Sequence, residues 1–333
     1  EIGNDCTISV KATGGSALAT VVASGATLAS GTGVVDIATA ITTISGTEYN
    51  FILPAANGNA DASNASATSS IGKLKTATDA LDEGFAAKLQ LIVVGHTGST
   101  SSAKTGTAQH NYGPMEYVLM RSGLSLPCEL MAAEAGRRAR MEAIDPAVNA
   151  INTTYKATLY PPADLVAGAL TPVQVEDLLQ SGVTPITYTS TGTPRVSRPI
   201  STYFKNDAGN ADGRLLDVSR TAGTYAYARD IAQFLQDEFK GAKLGPDLTA
   251  EDDPPPAGVV EPRDIKAAIA TRTRNFWIPQ GVIQGPAFEQ ALADGTLIVR
   301  VNPSNESQAD IVIPEKILPP LAKLSTVVQH VGT

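Results

Sequence analysis

The sequence predicts a multidomain chain of mixed α/β and α+β class, and three observations predict it. An apolar strand pattern, a helical pattern and a second apolar run follow one another between residues 48 and 94, which is the order of a βαβ unit. A 26-residue helical pattern occupies 215–240. Short alternating runs close the chain after residue 296. The expected organisation is a β-rich piece over 1–47, a βαβ-type body over 48–165, and a C-terminal domain over 166–333 with helices packed on a small mixed sheet.

The body is justified first. Glu48–Leu53 reads as a strand ending at Pro54. Ile71–Phe85 reads as a helix, with Ile71, Leu74, Thr78, Leu81 and Phe85 on one face. Leu89–Val94 is a continuous apolar run that suits a strand buried on both faces. Met115–Met120 reads as a third strand. Leu130–Ala143 reads as a helix carrying Arg137, Arg138 and Arg140 on its exposed side. Before the body, Thr7–Lys11 alternates like a strand and Val34–Ile44 has a short helical pattern.

In the C-terminal domain, Thr171 caps a helix with Pro172 at its first position, which runs to Gln180 and stops at Gly182. Thr184–Ser190 and Arg195–Tyr203 read as two strands around a Thr191-Gly192-Thr193 turn. The pattern over 215–240 presents two neighbouring apolar stripes. One is Val218, Ala222, Tyr225, Ala228, Ala232, Leu235 and Phe239; the other is Tyr227, Ile231 and Phe234. Pro262–Phe276 reads as a helix with Ile265 and Ile269 inward and a basic outer face of Arg263, Lys266, Arg272 and Arg274. A shorter helix covers Pro286–Ala293. Leu297, Val299 and Val301 alternate with Ile298 and Arg300, and Asp310–Ile313 is a further strand. Leu324–Val331 fits strand or helix.

Composition excludes several functions. The 333 residues carry a net charge of −8, and only 5% are aromatic. That disfavours nucleic acid as a partner, because phosphate binding needs clustered Lys and Arg. No apolar run reaches the roughly 18 residues of a membrane span. Cys6 and Cys128 fit no metal or redox spacing. The first residue is Glu1, and the natural N-terminus is expected to lie upstream.

Catalytic signals are weak. Gly98 to Thr105 nearly spells the phosphate-cradling G-x-x-x-x-G-K-[ST], but Ala103 replaces the second glycine. Gly106–Pro114 makes a poor helix where the motif needs a helix N-terminus. A Ser/Gly-rich turn is the plainer reading. A nucleotide-binding enzyme built on Gly98–Thr105 remains a distant alternative. His96, His110 and His330 lack ligand spacing, so surface or loop histidines are expected. No nucleophile elbow, paired-carboxylate signature or dinucleotide fingerprint is present.

The order of the C-terminal elements resembles a known family. A helix and hairpin lead into LLDVSRTAGTYAYARDIAQFLQDEFKGAKLGPD. A proline-rich loop follows, then VVEPRDIKAAIATRTRNFW, then TLIVRVNPSNESQADIVIPEKILPPLAKLSTVVQHV. This set, with EIGNDCTISV and EYNFILPA earlier, is similar to the tail sheath proteins of contractile phages, of the Mu-like type. The resemblance implies a structural subunit without cofactor, metal or catalytic residues, found in the virion tail and assembled in the host cytoplasm. Its implied partners are other copies of itself in stacked hexameric rings, the inner tail tube, and the baseplate and tail terminator. Nucleic acid and membrane are not among them. Residues 1–47 become the remnant of an outer β-rich domain. Contraction would drive the tube through the host envelope for genome delivery. The sheath of a bacterial contractile device, a tailocin or secretion system, is the nearest alternative.

Strand exchange between subunits follows from the same resemblance. Leu297, Val299, Val301, Ile311 and Ile313 would form a receiving sheet. Leu324, Val327, Val328 and Val331, beyond Pro319-Pro320, would form the donated strand. Residues 317–333 are expected to be dispensable for folding. The basic face of Arg263, Lys266, Arg272 and Arg274 is expected to meet an acidic tube.

Overall fold

A computed structural model describes residues 40–42, 50–54, 66, 69–81, 90–156, 158–206, 208–213, 215–246, 256–314 and 316–318. The expectation for Thr7–Lys11, and that for Val34–Ile44 apart from Ala40–Thr42, lie outside the described residues.

The body is a sheet covered on both faces. Its five strands are β1 (Phe51–Ile52), β2 (Leu91–His96), β3 (Met115–Leu119), β4 (Thr184–Tyr188) and β5 (Pro194–Val196), in that spatial order. β1 to β4 run parallel, and β5 is an antiparallel edge. The hairpin expected in the C-terminal part therefore extends the body sheet. Its turn is closed by Thr189 N–H donating to Thr193 O at 3.0 Å, with Gly192 at φ +79°.

Side-chain alternation sends the two sets of residues to opposite faces. Ile92, Val94, Met115, Tyr117 and Leu119 pack with helices α1 (Ser70–Leu81), α2 (Thr100–His110) and α5 (Pro172–Gln180). Val93, Val118 and Met120 pack with α3 (Pro127–Glu142). A short α4 (Leu165–Gly168) precedes α5 (Pro172–Gln180). The start of α5 follows from its first residues. Gln174 N–H donates to Thr171 Oγ1, and Thr171 N–H to Gln174 Oε1, with Pro172 at the first helical position.

The C-terminal layer is organised around α6 (Val218–Glu238). After the first turn its buried line is Tyr227, Ile231 and Leu235, while Ala228 is exposed. The inward face thus draws on both stripes, Val218, Ala222 and Leu235 from the first and Tyr227 and Ile231 from the second, with Phe234 half-buried. Against α6 pack α7 (Pro262–Arg272), a π-helical turn (Thr273–Trp277), α8 (Gly285–Ala293) and the hairpin of β8 (Ile298–Asn302) and β9 (Asn305–Val312). A small parallel pair, β6 (Lys243–Leu244) and β7 (Val259–Val260), completes the layer. The helix expected over 262–276 is thus continuous in path but widens at Thr273. Ile278 N–H reaches back five residues to Thr273 O at 3.0 Å. The widening carries Trp277 inward, edge-on to Tyr227 with ring centroids 5.5 Å apart.

Three sequence expectations are corrected. Thr100–His110 is a helix, not a turn. Its buried side is Ala103, Gly106, Thr107 and His110, too small and polar to leave an apolar period. His96 and His110 are buried, not surface histidines. Arg137 and Arg138 are buried too, at 4% and 3% exposure, and only Arg140 is exposed.

Candidate functional site

The β8–β9 hairpin is the best candidate for an assembly site. Val299 faces Ile311 and Val301 faces Ala309 across the ladder. Val299, Ala309 and Ile311, with Leu297 and Ile313, turn toward the core against α7, and Val301 is half-buried. Leu297 is 1% exposed. The sequence-predicted residues Leu297, Val299, Val301, Ile311 and Ile313 are thus brought together on one hairpin, and all but the half-buried Val301 join this subunit's own core. The hairpin's capacity for a partner lies in its backbone and its outer face. Among the described residues no third strand pairs with either β8 or β9. Among the described residues, the outer edge of each strand thus has no strand paired to its N–H and C=O groups.

The outer face holds a feature the sequence reading missed. Ile298 and Val312 stand directly opposite each other, 42% and 53% exposed. Arg300 pairs with Asp310 beside them at 3.7 Å. The alternation already visible at 297–301 contained that signal, because the residues between the core positions must point outward.

Leu324, Val327, Val328 and Val331 lie outside the described residues. The chain can be followed to Leu318, and its last stretch is fastened. Gln284 N–H donates to Lys316 O at 2.9 Å and Leu318 N–H to Val282 O at 3.0 Å. Ile317 between them is 2% exposed. Ile317 therefore belongs to the core, and the segment expected to be dispensable, 317–333, is corrected to exclude it.

The basic residues of 262–276 do not form one face. Arg263 pairs with Glu261 at 2.7 Å. Arg272 reaches α6, donating from Nε and Nη2 to the Asp230 carboxylate at 2.9 and 2.6 Å. It also stacks 4.4 Å from the Phe276 ring centroid. Arg274 reaches α8, with two bonds to Glu289 at 2.7 and 2.6 Å. Lys266 is half-buried, and no ion pair to it is found among the described residues. Three of the four cations are thus matched by carboxylates of the same chain.

The near phosphate loop has different geometry. Three residues, Thr97 to Ser99, separate β2 from α2, and Ser99 Oγ caps the helix by accepting from Ser102 N–H. Lys104 lies a turn inside α2 and pairs with Asp177 at 2.9 Å. No backbone cradle precedes it. His96 bonds Ser102 Oγ at 2.8 Å and Tyr117 OH at 3.1 Å, and burial holds its pKa down at about 4. It is a neutral core group. Among the described residues no cluster of His, Cys, Asp and Glu fits a metal ion, and no helix is long and apolar enough to cross a membrane.

The most unusual chemistry is a buried ion network between α3 and β3. Arg137 Nε donates to Glu134 Oε2 at 2.9 Å, and Tyr155 OH donates to the same oxygen at 2.8 Å. Arg138 donates to Glu116 Oε2 at 3.0 Å and to Glu142 Oε1 at 2.7 Å. Glu116 Oε1 is buried without a hydrogen-bond partner. Burial, with the neighbouring Glu134 charge, pushes the Glu116 pKa up to about 8 despite Arg138. Burial acts the same way on Glu134, but the Arg137 charge and hydrogen bond, with Tyr155, hold its pKa below the ordinary value. Three carboxyls share two guanidiniums, and protonating Glu116 balances the charge.

Comparison of the sequence with protein-family models and with curated proteins gives no match. The fold, however, is that of sheath proteins from contractile tails and injection devices. The chain superposes on the sheath tail protein of Desulfitobacterium hafniense with a TM-score of 0.51 at 13% identity, covering 84% of this chain and 59% of that one. It superposes on the helical sheath of the anti-feeding prophage in its contracted state with a TM-score of 0.50 at 14% identity, covering 79% and 67%. The contracted sheath complex of the extracellular contractile injection system PVC gives 0.50 at 14% identity, covering 78% and 68%. The chain thus spans about three fifths to two thirds of these proteins' lengths.

Proposed function

We propose that this chain is a non-enzymatic structural subunit of a contractile sheath. Copies stack as hexameric rings around an inner tube, and their concerted rearrangement drives the tube through an envelope. The observation that carries the reading is the hairpin β8–β9, a two-stranded sheet whose edges have no partner among the described residues, followed by a segment fastened at Ile317. A strand donated by a neighbour satisfies the open N–H and C=O groups, and Ile298 and Val312 give it an apolar face to cover. The donor is residues 319–333, with Leu324, Val327, Val328 and Val331 as its apolar positions. A contact of this heterologous kind, when it does not close into a ring, generates a helix of subunits.

The test is deletion of 319–333. The shortened chain is expected to keep its circular dichroism and melting temperature and to remain monomeric by light scattering. Tubes of the shortened chain in electron micrographs would refute the reading.

Two finer assignments belong to the same proposal. The particle is a phage tail, with the subunit in the virion; an injection device is the second reading, favoured by the likeness to the anti-feeding prophage and PVC sheaths. Of the four basic residues, Lys266 is the one left to meet the tube, with the baseplate and tail terminator as end contacts. Lys266→Glu is its cleanest probe, since the arginines also hold this subunit together. Loss of co-sedimentation with the tube protein supports that contact, and unchanged co-sedimentation removes it.

A further inference from the structure

Exposed apolar side chains gather at one end of the body sheet. Among the described residues seven large ones are more than half exposed, and five of these, Leu124, Leu126, Tyr160, Val166 and Val173, lie at the carboxyl ends of the parallel strands. Leu124 and Leu126 stand in the loop from β3 to α3. Tyr160 is held beside them, since the N–H groups of Leu124 and Ser125 donate to Tyr160 O at 3.0 and 3.3 Å. α4 is tied to the same place. Arg121 Nη1 donates to Ala169 O at 3.4 Å, and a Cβ on Gly192 in the β4–β5 turn would stand 3.1 Å from Leu165 Cδ1. α5 starts at this end too. It runs alongside α2, with Lys104 meeting Asp177 and Thr107 meeting Ser181, and α2 leaves the carboxyl end of β2.

The charges here are few and already engaged. Residues 121–129 and 160–173 hold three charged side chains, and each bonds the backbone of its own chain. Besides Arg121, Glu129 Oε2 accepts from Leu126 N–H at 2.9 Å, and Asp164 Oδ1 accepts from Val166 and Ala167 N–H at 2.9 and 3.1 Å. The surface therefore suits an apolar partner better than a charged one. Taking about 200 Å2 for tyrosine and somewhat less for leucine and valine, the exposed parts of the five side chains come to about 600 Å2. That is the upper end of the roughly 300–600 Å2 of the largest apolar patch on ordinary monomers. It is also most of the roughly 800 Å2 that each partner gives to a standard interface.

We propose that this end of the body docks on the same end of a second copy of the chain, related to it by a two-fold axis. The cover must be apolar and wide. Among the described residues the other large apolar side chains more than half exposed are Ile144, just past the end of α3, and Val312, on the hairpin. The matching surface that a second copy offers is therefore the same five side chains. Copies of net charge −8 repel one another, and approach costs least through an end with few charges, all engaged. The inference goes beyond the sheath reading and does not need it. A two-fold contact closes at two copies, whereas donation of an arm repeats from copy to copy. Pairs thus store free subunits with their apolar ends covered. With about 1,200 Å2 buried in all, the contact sits at the boundary of weak complexes. A dissociation constant on the order of 0.1 mM keeps dilute samples monomeric.

The test is sedimentation velocity of the full chain from about 1 µM to about 1 mM. The expected pattern is monomer at the lower limit and dimer at the upper. Leu124→Glu combined with Val166→Glu is expected to weaken pairing about tenfold or more. Val173→Glu, on another element, should weaken it in the same direction. Circular dichroism checks that these variants fold, as their exposed positions allow. Ile144→Glu, exposed beyond the other end of α3, is the control and should pair like the parent chain. A chain that stays monomeric throughout overturns the proposal, and so do dimers whose affinity the double variant leaves unchanged. An open series of larger oligomers that the double variant abolishes overturns it as well, because a two-fold contact stops at two. Tubes sediment far ahead of pairs and are scored apart. Tubes without pairs defeat this inference and leave the sheath reading standing; pairs without tubes do the reverse.

Discussion

Two arginine-bearing helices look alike in the sequence and differ in the fold. α3 carries Arg137 and Arg138, and α7 with its π turn carries Arg263, Arg272 and Arg274. In α3 the guanidiniums are sealed in, Arg138 against β3 and Arg137 against Thr153 and Tyr155, while Arg272 and Arg274 lie partly in solvent and clip helices together. The difference lies in the carboxylates. Arg137 and Arg138 have Glu134 and Glu142 one helical turn away, and Glu116 points at them from the sheet. Arg272 and Arg274 depend on Asp230 and Glu289, on other helices. A charge with prepaid local partners can be buried; one that must find a distant partner stays near water.

The largest effect expected from this contrast is at Arg138. Arg138→Ala leaves Glu116 and Glu142 buried without their cation. Loss of one partner of a buried pair costs about 3–5 kcal/mol. Urea unfolding is expected to show a loss in that range; a loss below about 1 kcal/mol would mean that water reaches the network.

Next comes pH. Glu116 has a folded-state pKa raised from 4.5 to about 8. Its neutral form contributes stability that is fully present below the unfolded value and is lost as pH rises through the folded one. Stability therefore falls between about pH 5 and pH 8 on this group's account, and burial raises Glu142 in the same direction. Glu134, held low, contributes the opposite way, with stability lost on acidification below its unfolded value. Glu116→Gln is expected to flatten the decline between pH 5 and 8 in unfolding free energies. An unchanged slope would assign the decline to other groups.

Smaller effects belong to α7. Arg272→Ala removes a bidentate, stacked but partly exposed pair with Asp230, at a cost of about 1 kcal/mol after screening. Arg272→Lys is expected to restore little of it, because an ammonium reproduces neither the fork nor the stacking. Full recovery in Lys would show that charge alone matters there. Arg274→Ala, on a half-exposed, solvent-screened pair with Glu289, is expected to leave the denaturation midpoint in place.

The legible parts of the fold were those with large apolar side chains at a regular period. Leu91–Val94 and Met115–Leu119, the cap at Thr171 and Pro172, and the inward Ile265 and Ile269 all announce themselves. α2 did not, since its contacts are made by small and polar groups such as Thr107, which donates to Ser181 O at 2.7 Å. The burial of Arg137 and Arg138 was hidden because Glu116, 22 residues before Arg138, comes from a strand that reads as an apolar run. At the candidate site, the inward residues of the hairpin were legible by alternation. The outward pair Ile298 and Val312 needed the cross-strand register, which only the fold supplies.

The fastening at Ile317 has a mechanical corollary. Traction applied to whatever hangs from Leu318 enters the subunit through two backbone bonds to the 282–284 turn and one wedge against α6. It bypasses the hairpin. The subunit can thus be tugged by its tail without its own socket being prised open, as a rope is tied to a cleat instead of to the hatch beside it.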